Sequence, residues 1–271
     1  MQELLDHPAV QGGLAPFVVA LIAVILLRRL RLSGLAIVAG FAVTVFLVSG
    51  FAIEPLTSTR KIIWLGLASG LLALPLSMTS RSLWRTVISV LAAATAVWMS
   101  VRILQQHPMV EAVQWGVGAA LYVGWLVYWM DGLRDSPVRA ASAGMALGLG
   151  TGASALLGAS ALLGQYGLSL GAAAAAYLMI MMISIHQLPC GRSFTYPIAL
   201  IAGLVGVLAV FTAQLPWYAL PVLAAIPLVG ALPVPLKMAL RLQAVLLSTV
   251  ALACAAGAVY LSWRVNGAPP L

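Results

Sequence analysis

Charged side chains are scarce in this sequence. Only 7% of its 271 residues are charged, and just 6 of these are Asp or Glu. A soluble domain carries about 25% charged residues, because its surface must face water. So low a content excludes an ordinary water-soluble domain. Cysteine is also rare, and the two cysteines of the chain, Cys190 and Cys254, provide no disulfide framework.

Charges are also missing from the middle of the long apolar stretches, none of which holds a central Asp, Glu, Lys or Arg. Ionisable residues at mid-membrane usually mark ion pathways or proton relays. Their absence argues against a proton-driven pump and against a strongly charged substrate. The sequence also lacks a glycine-rich phosphate loop and a recognisable Ser–His–Asp arrangement, so we expect neither enzymatic activity nor a bound cofactor.

The composition that remains is strongly apolar. Hydrophobic residues make up 63% of the chain, and the mean hydropathy is +1.07. The apolar runs are continuous over about 16–26 residues, as spanning helices require, whereas barrel strands would alternate apolar and polar residues. Helices also pair their backbone N–H and C=O groups internally, which lipid demands. We therefore predict an all-α fold, a polytopic transmembrane helical bundle that forms a single domain over residues 1–271.

Hydropathy divides the chain into ten predicted spanning helices joined by short loops. They cover residues 12–27, 33–53, 61–77, 83–103, 112–130, 138–163, 167–186, 194–213, 217–232 and 238–262. The net charge of +8 is spread between these helices and forms no single patch. We therefore expect membrane lipids as partners and no nucleic acid.

The distribution of basic residues predicts the orientation of the bundle. If the N-terminus lies outside, 10 of the 14 Lys and Arg residues fall on the inner side and 4 on the outer side. The positive-inside rule favours this arrangement, which also places the C-terminus outside. No Lys or Arg precedes the first apolar run, so we predict a spanning helix there and no signal peptide. The Ala-rich, Arg-rich composition indicates a bacterial source and hence the cell inner (cytoplasmic) membrane.

The predicted sixth helix carries small residues at four-residue spacing. Small residues in such a stripe allow another helix backbone to approach closely. We interpret the stripe as a helix-packing seam, and a sliding or gating seam is the alternative. Its members are Gly144, Gly148, Gly152, Ser154 and Gly158.

Short sequence matches indicate a weak parallel duplication. His7-Pro8 precedes the predicted first helix as His107-Pro108 precedes the fifth, on the same side of the membrane. Transporters often contain such internal repeats, and an inverted five-plus-five repeat remains the alternative. The parallel repeat would comprise residues 7–103 and 107–213, with two additional helices in residues 217–262.

Three side chains near the end of the predicted seventh helix form a candidate metal site. Met182, His186 and Cys190 lie at four-residue steps, so they share one face if the helix continues that far. Thioether, imidazole and thiolate groups suit Cu(I). Pro189 would break the helix before Cys190, and methionine is a common filler of apolar cores, so a purely structural role is the alternative.

Two further groups admit a chemical interpretation that we disfavour. Asp131 and Asp135 form a D-x-x-x-D pair, a spacing found in metal-diphosphate sites, but no other acid lies on the predicted inner side. We therefore predict a solvated loop with local charge pairing. His7 and His107 could ligate a metal or haem, but each precedes a proline, which favours a helix-entry turn.

Within the predicted helices the polar groups are mainly hydroxyls, which we expect to bond to their own helix backbone. These residues are Thr44, Ser69, Thr95, Thr151, Ser154, Ser160, Thr212, Ser248 and Thr249.

Helix count, the small-residue stripe and the indicated repeat favour a small permease or flippase for a neutral or amphipathic solute. The alternative is a non-catalytic subunit or assembly factor of a larger membrane complex, with other membrane subunits as partners. A membrane enzyme or metal protein is the third class. A polar-lined cavity near mid-membrane would favour a permease, and a flat apolar flank would favour a subunit. Ten helices in 271 residues is similar in size to drug/metabolite-type carriers, although no motif is shared and the predicted outside N-terminus departs from that family's usual inside one.

Overall fold

A computed structural model describes residues 7–30, 32–51, 54–77, 83–184, 188–234 and 238–267 of the protein. Within these ranges the backbone forms ten α-helices and no β-strand, which confirms the predicted all-α bundle. Numbered α1 to α10 in chain order, the helices are Ala15–Leu27, Ala36–Val48, Ser58–Ser77, Leu83–Leu104, Met109–Asp131, Pro137–Leu157, Ala161–Ile183, Gly191–Thr212, Ala219–Gly230 and Leu240–Asn266.

Of the described helices, 8 are long and apolar enough to cross a bilayer, as expected for a multi-pass membrane protein. Helix α1 reaches this length because a π-helical turn and a 3-10 turn extend it to Val10–Leu30. The other two are shorter: α2 with its preceding 3-10 turn covers Ser33–Val48, and α9 has 12 residues. At 1.5 Å per residue, α9 is about 18 Å long, against a hydrocarbon core of about 30 Å.

Successive helices run in opposite directions, so the bundle has two distinct ends. Arg85 Nε at the start of α4 donates to the carbonyl oxygen of Tyr128 near the end of α5, at 2.7 Å. At the other end, Lys61 Nζ donates to the carbonyl oxygen of Trp98 at 2.9 Å. The arginine-rich end contains the described residues Arg28, Arg29, Arg85, Arg134, Arg139, Arg192 and Arg241. The arginine-poor end contains Arg60, Lys61, Arg102 and Arg264.

The small-residue stripe of α6 lies against two neighbouring helices. A Cβ atom at Gly148 would overlap the backbone of Gly171 in α7, and one at Gly152 would overlap the backbone of Leu168. Side chains at these two positions would therefore force α6 and α7 apart. Gly144 faces α8 instead, since a Cβ there would lie 2.7 Å from Ile198 Cδ1. Ser154 is fully buried, and Gly158 follows the end of the helix.

The turn between α6 and α7 lies earlier in the chain than the predicted loop at residues 164–166. Helix α6 ends at Leu157, and Ser160 begins α7 by accepting a hydrogen bond from the Leu163 N–H at 3.4 Å. The predicted loop residues lie inside α7. The prediction was wrong because residues 158–163 are nearly all small or apolar, so hydropathy does not mark the turn.

Helix α8 is the centre of the bundle. Its residues from Arg192 to Ala209 are all buried. In contrast, α1 and α10 expose most of their surface, and that surface is apolar. Exposed apolar side chains are expected where helices face lipid, because the bilayer interior does not require polar cover.

Candidate functional site

A cleft opens sideways at the surface of the bundle, between α5 and α9, with α8 at its base. Its volume is about 740 Å³. The lining is apolar and rich in aromatic rings. It comprises Gln114, Trp115, Gly118, Ala119, Leu121, Tyr122 and Trp125 of α5, Val207, Val210 and Phe211 of α8, and Trp217, Leu220, Pro221, Ala224, Ala225 and Leu228 on or beside α9.

One face of α5 forms the long wall of this cleft. Gln114, Gly118, Tyr122 and Trp125 all line it, and their spacing of four, four and three residues places them on one side of the helix. The stripe from Gln114 to Trp125 is about 16 Å long at 1.5 Å per residue. This is close to half of a hydrocarbon core of about 30 Å, so the cleft has the depth of one membrane leaflet.

The cleft is closed at the end nearer the arginine-rich end of the bundle. Trp125 Nε1 donates to the Ala224 carbonyl oxygen at 3.0 Å, which ties α5 to α9. Further along, the turn that follows α5 packs against the end of α9, since a Cβ atom at Gly230 would lie 2.9 Å from Leu133 Cδ1. The open end therefore lies near Gln114, towards the arginine-poor end.

Small residues and the shortness of α9 leave this space unfilled. A Cβ atom at Gly118 would have no neighbour within 4 Å, so the wall of α5 is bare at that point. Across the cleft, Pro221 and Pro227 are both in α9, which ends after 12 residues. A proline removes a backbone donor and disfavours a straight, continued helix, which is consistent with the short α9.

Tyr122 is one of the residues that line the cleft, but its hydroxyl oxygen is buried. Its side chain is 7% exposed, and its hydroxyl has no hydrogen-bond partner among the described residues. The hydroxyl lies beside α8, where a Cβ atom built at Gly206 would be 3.3 Å from it and 3.3 Å from Leu220 Cδ2. A buried hydroxyl without a partner is costly, at roughly 1–3 kcal/mol.

Other buried side-chain atoms without a partner in the described part of the chain are Trp129 Nε1, Thr151 Oγ1 and Ser154 Oγ. None of these residues lines the cleft.

A second group of polar side chains, at the arginine-poor end, is hydrogen-bonded and joins α1, α2 and α7. Ser49 and Tyr166 share a hydrogen bond of 2.7 Å between their hydroxyls. Thr44 Oγ1 donates to the Gln11 carbonyl oxygen at 2.8 Å, and Gln165 Nε2 donates to Gln11 Oε1 at 3.3 Å. These bonds hold three helices together, in contrast to the unsatisfied hydroxyl of Tyr122.

At the arginine-rich end, Asp131 and Arg192 form a buried ion pair. Arg192 Nε donates to Asp131 Oδ1 at 2.8 Å, and both side chains are 1% exposed. Arg192 Nη1 donates to the Leu76 carbonyl oxygen at 2.7 Å, so the pair links α3, α5 and α8. Arg134 Nη1 lies 3.2 Å from Asp131 Oδ2.

The predicted solvated loop is therefore wrong for Asp131. Tertiary packing buries its carboxylate by bringing in a guanidinium 61 residues further along the chain. The prediction holds for Asp135, whose side chain is 88% exposed and pairs locally with Arg134.

The structure describes two of the three predicted metal ligands, and His186 lies outside the described residues. Helix α7 ends at Ile183, so the continuous helix that would align Met182 with Cys190 is not formed. Burial, and to a smaller extent the charge of Asp135, raises the pKa of the Cys190 thiol well above its usual range. A protonated thiol is a weak ligand. No group of three or more His, Cys, Asp or Glu able to hold a metal occurs among the described residues.

Both histidines before prolines make local contacts. The Ala9 N–H donates to His7 Nδ1 at 3.2 Å, and His107 Nδ1 lies 3.6 Å from Glu111 Oε2. Such contacts are those of a helix-entry turn, the interpretation that the sequence favoured.

The expected backbone bonding of helix hydroxyls is confirmed for several residues. Ser69 donates to the Gly66 carbonyl and Thr212 to the Leu208 carbonyl, at 2.6 and 2.8 Å. Ser248 differs, because its hydroxyl bonds Ser142 in α6 at 3.0 Å.

Sequence reasoning missed the cleft. A signal was present in the four-residue stripe of Gln114, Gly118 and Tyr122, which combines two polar groups with a glycine on one helix face. The matching walls on α8 and α9 lie about a hundred residues away in the sequence, and nothing local marks them as neighbours. No protein-family model, curated protein or solved structure matches this chain.

Proposed function

We propose that this protein is a permease or flippase for an amphipathic, lipid-like solute that enters the cleft between α5, α8 and α9 from the bilayer. The observation that carries the proposal is a laterally open cleft of about 740 Å³ whose lining contains no charged side chain. Ligand sites of this size are usually apolar with a few placed polar groups.

The character of the lining favours a lipid-like solute over a hydrophilic one. Gln114 contributes the side-chain amide of the lining, and aromatic and aliphatic groups form nearly all the rest. A sugar or amino acid would lose its hydration there without replacement hydrogen bonds, at a cost of several kcal/mol. An acyl or isoprenoid chain has no hydration and no hydrogen bonds to lose when it moves from lipid to such a surface.

The depth and closure of the cleft favour loading from one leaflet. It is open near Gln114 at the arginine-poor end and closed by the Trp125–Ala224 hydrogen bond about 16 Å deeper. We propose that the arginine-rich end faces the cytoplasm of a bacterial cell, following the positive-inside rule. Both termini and the open end of the cleft then lie on the outer side of the inner membrane.

A pair of glycine substitutions tests this proposal. Gly118→Phe would place a ring inside the cleft, where a Cβ atom has open space, without disturbing a packed contact. Gly13→Phe is the matched control, because a Cβ there also meets nothing within 4 Å and the residue lies in the turn before α1. The native protein and both variants are purified and titrated with monoolein, and bound lipid is counted by native mass spectrometry. Transbilayer movement is measured in proteoliposomes as dithionite bleaching of NBD-labelled phosphatidylethanolamine.

We expect Gly118→Phe to lose most monoolein binding and lipid movement, and Gly13→Phe to keep both. Equal binding by Gly118→Phe and the native protein would refute the cleft as the site. Binding without lipid movement would favour the alternative of a structural subunit that holds a lipid.

A further inference from the structure

We infer that the cleft selects a solute whose headgroup carries a positively charged ammonium, bound at the open end by the carboxylate of Glu111 and the rings of Trp115 and Trp217. This inference rests on the proposed function of the cleft and names the headgroup of its solute. A headgroup belongs at the open end because it stays near the membrane boundary while the chain enters the apolar lining.

The first observation is the position of Glu111 on α5. It lies three residues before Gln114 and four before Trp115, both of which line the cleft. Residues three and four apart share one face of a helix, so Glu111 continues the cleft-lining stripe about 4.5 Å beyond Gln114. Its carboxylate therefore stands at the open end, just outside the apolar lining.

The second observation is that this carboxylate is accessible to a ligand. The Glu111 side chain is 56% exposed, and Oε2 lies 3.6 Å from His107 Nδ1. The other carboxylate oxygen, Oε1, has no hydrogen-bond or ion-pair partner in the described part of the chain. The lining itself carries no charged side chain, so Glu111 gives the open end a negative charge that nothing in the lining neutralises.

The third observation is a pair of exposed aromatic rings in the lining. Trp115 is 39% exposed and Trp217 is 61% exposed, and both line the cleft. Trp115 follows Glu111 by one turn, and its ring packs against Phe211 of α8 at a centroid distance of 5.9 Å and an angle of 85°, which fixes its orientation. Trp217 lies just before α9, on the opposite wall. The faces of such rings attract cations, and aromatic sites are a common way to bind quaternary ammonium groups.

A carboxylate above exposed aromatic rings favours an ammonium over other headgroups. An anionic headgroup would be repelled by Glu111, and no basic side chain in the lining would offset that repulsion. A neutral hydroxyl could bond the amide of Gln114 but would gain little from the charge or the ring faces. An ammonium gains from both the carboxylate and the rings.

Two amphiphiles that differ only in charge test this inference. They are tetradecyltrimethylammonium and its neutral isostere, in which a quaternary carbon replaces the nitrogen. Each competes with bound monoolein in micelles of dodecyl maltoside, and native mass spectrometry counts the monoolein that remains. Tetramethylammonium, the same cation without a long chain, is tested in parallel.

The competition is measured on the native protein and on the variants Glu111→Gln, Trp217→Leu and Gly118→Phe. Glu54→Gln is the matched control, because Glu54 is also exposed at the arginine-poor end but does not line the cleft. Binding of the neutral isostere shows in each variant whether the cleft itself is intact.

We expect the native protein and Glu54→Gln to prefer the cation to its isostere by about tenfold, the product of about threefold from an exposed carboxylate and about threefold from the aromatic rings. Glu111→Gln and Trp217→Leu should each lower this preference to about threefold and bind the isostere as the native protein does. Gly118→Phe should block both amphiphiles. Tetramethylammonium should displace no monoolein, because it has no chain to fill the apolar lining.

A full cation preference in Glu111→Gln or in Trp217→Leu would overturn the inference. Displacement of monoolein by tetramethylammonium would also overturn it, since the site would then take a small cation. If the native protein binds the cation and the isostere equally and Gly118→Phe blocks both, the headgroup inference is refuted and the cleft proposal stands. If neither amphiphile nor monoolein binds, both proposals are refuted.

Discussion

Replacing Asp131 by alanine should remove a large part of the stability of this protein. The substitution leaves the guanidinium of Arg192, 1% exposed, in the packed interior without the carboxylate that balances its charge. The Leu76 carbonyl oxygen still accepts its hydrogen bond from Nη1, but it is a neutral acceptor. Removing one partner of a buried ion pair typically costs about 3–5 kcal/mol, because the remaining charge cannot regain its hydration.

The loss of stability expected for Asp131→Ala can be compared with that of a control substitution in the same protein. Asp135 lies four residues later, at the same end of the bundle, and pairs with Arg134 at 3.4 Å, but its side chain is 88% exposed. An exposed pair of this kind contributes about 0–1 kcal/mol, so Asp135→Ala should be nearly neutral. The two substitutions remove the same chemical group, so the difference between their effects on the free energy of unfolding measures the effect of burial.

Thermal unfolding in a mild detergent, followed by circular dichroism, measures both effects. With about 2–4 °C per kcal/mol for a chain of this size, Asp131→Ala should lower the Tm by roughly 6–20 °C. The double variant Asp131→Leu with Arg192→Met should recover most of this loss, because an apolar pair of similar volume replaces both charges. Equal Tm values for Asp131→Ala and Asp135→Ala would refute the reasoning, since burial would then add nothing.

Two further predictions concern helix packing and orientation. Gly148→Leu should lower the Tm by the equivalent of at least about 1–3 kcal/mol, the typical cost of overpacking, because the new side chain meets the backbone of Gly171. Gly118→Leu is the control and should change the Tm little, because a Cβ atom there has open space. Similar Tm values for the two variants would contradict the packing argument. The orientation can be tested with single cysteines in a variant that lacks Cys190 and Cys254. A cysteine that replaces Asp135 should react with an impermeant maleimide only after the cells are permeabilised, whereas one that replaces Gln105 should react in intact cells. The reverse labelling pattern would show the opposite orientation.

The positions of most helices could be predicted from hydropathy, because a segment that crosses the lipid must itself be a long apolar run. Residues 83–103 were expected to form a helix, and α4 is Leu83–Leu104. The same signal failed at residues 158–163, where the turn itself is made of small and apolar residues. The predicted ninth helix, residues 217–232, agrees with α9 to within two residues at each end.

Local sequence, then, determined the all-α class, the approximate helix limits and the concentration of arginines at one end, because these depend on one segment at a time and on its preference for lipid or water. Tertiary structure alone decided that Asp131 would be buried against Arg192, that Gly148 would face Gly171, and that Tyr122 would lie in a cleft opposite α9. These outcomes depend on which helices become neighbours. In lipid no hydrophobic force selects those neighbours, so close packing and hydrogen bonding between distant segments determine the arrangement.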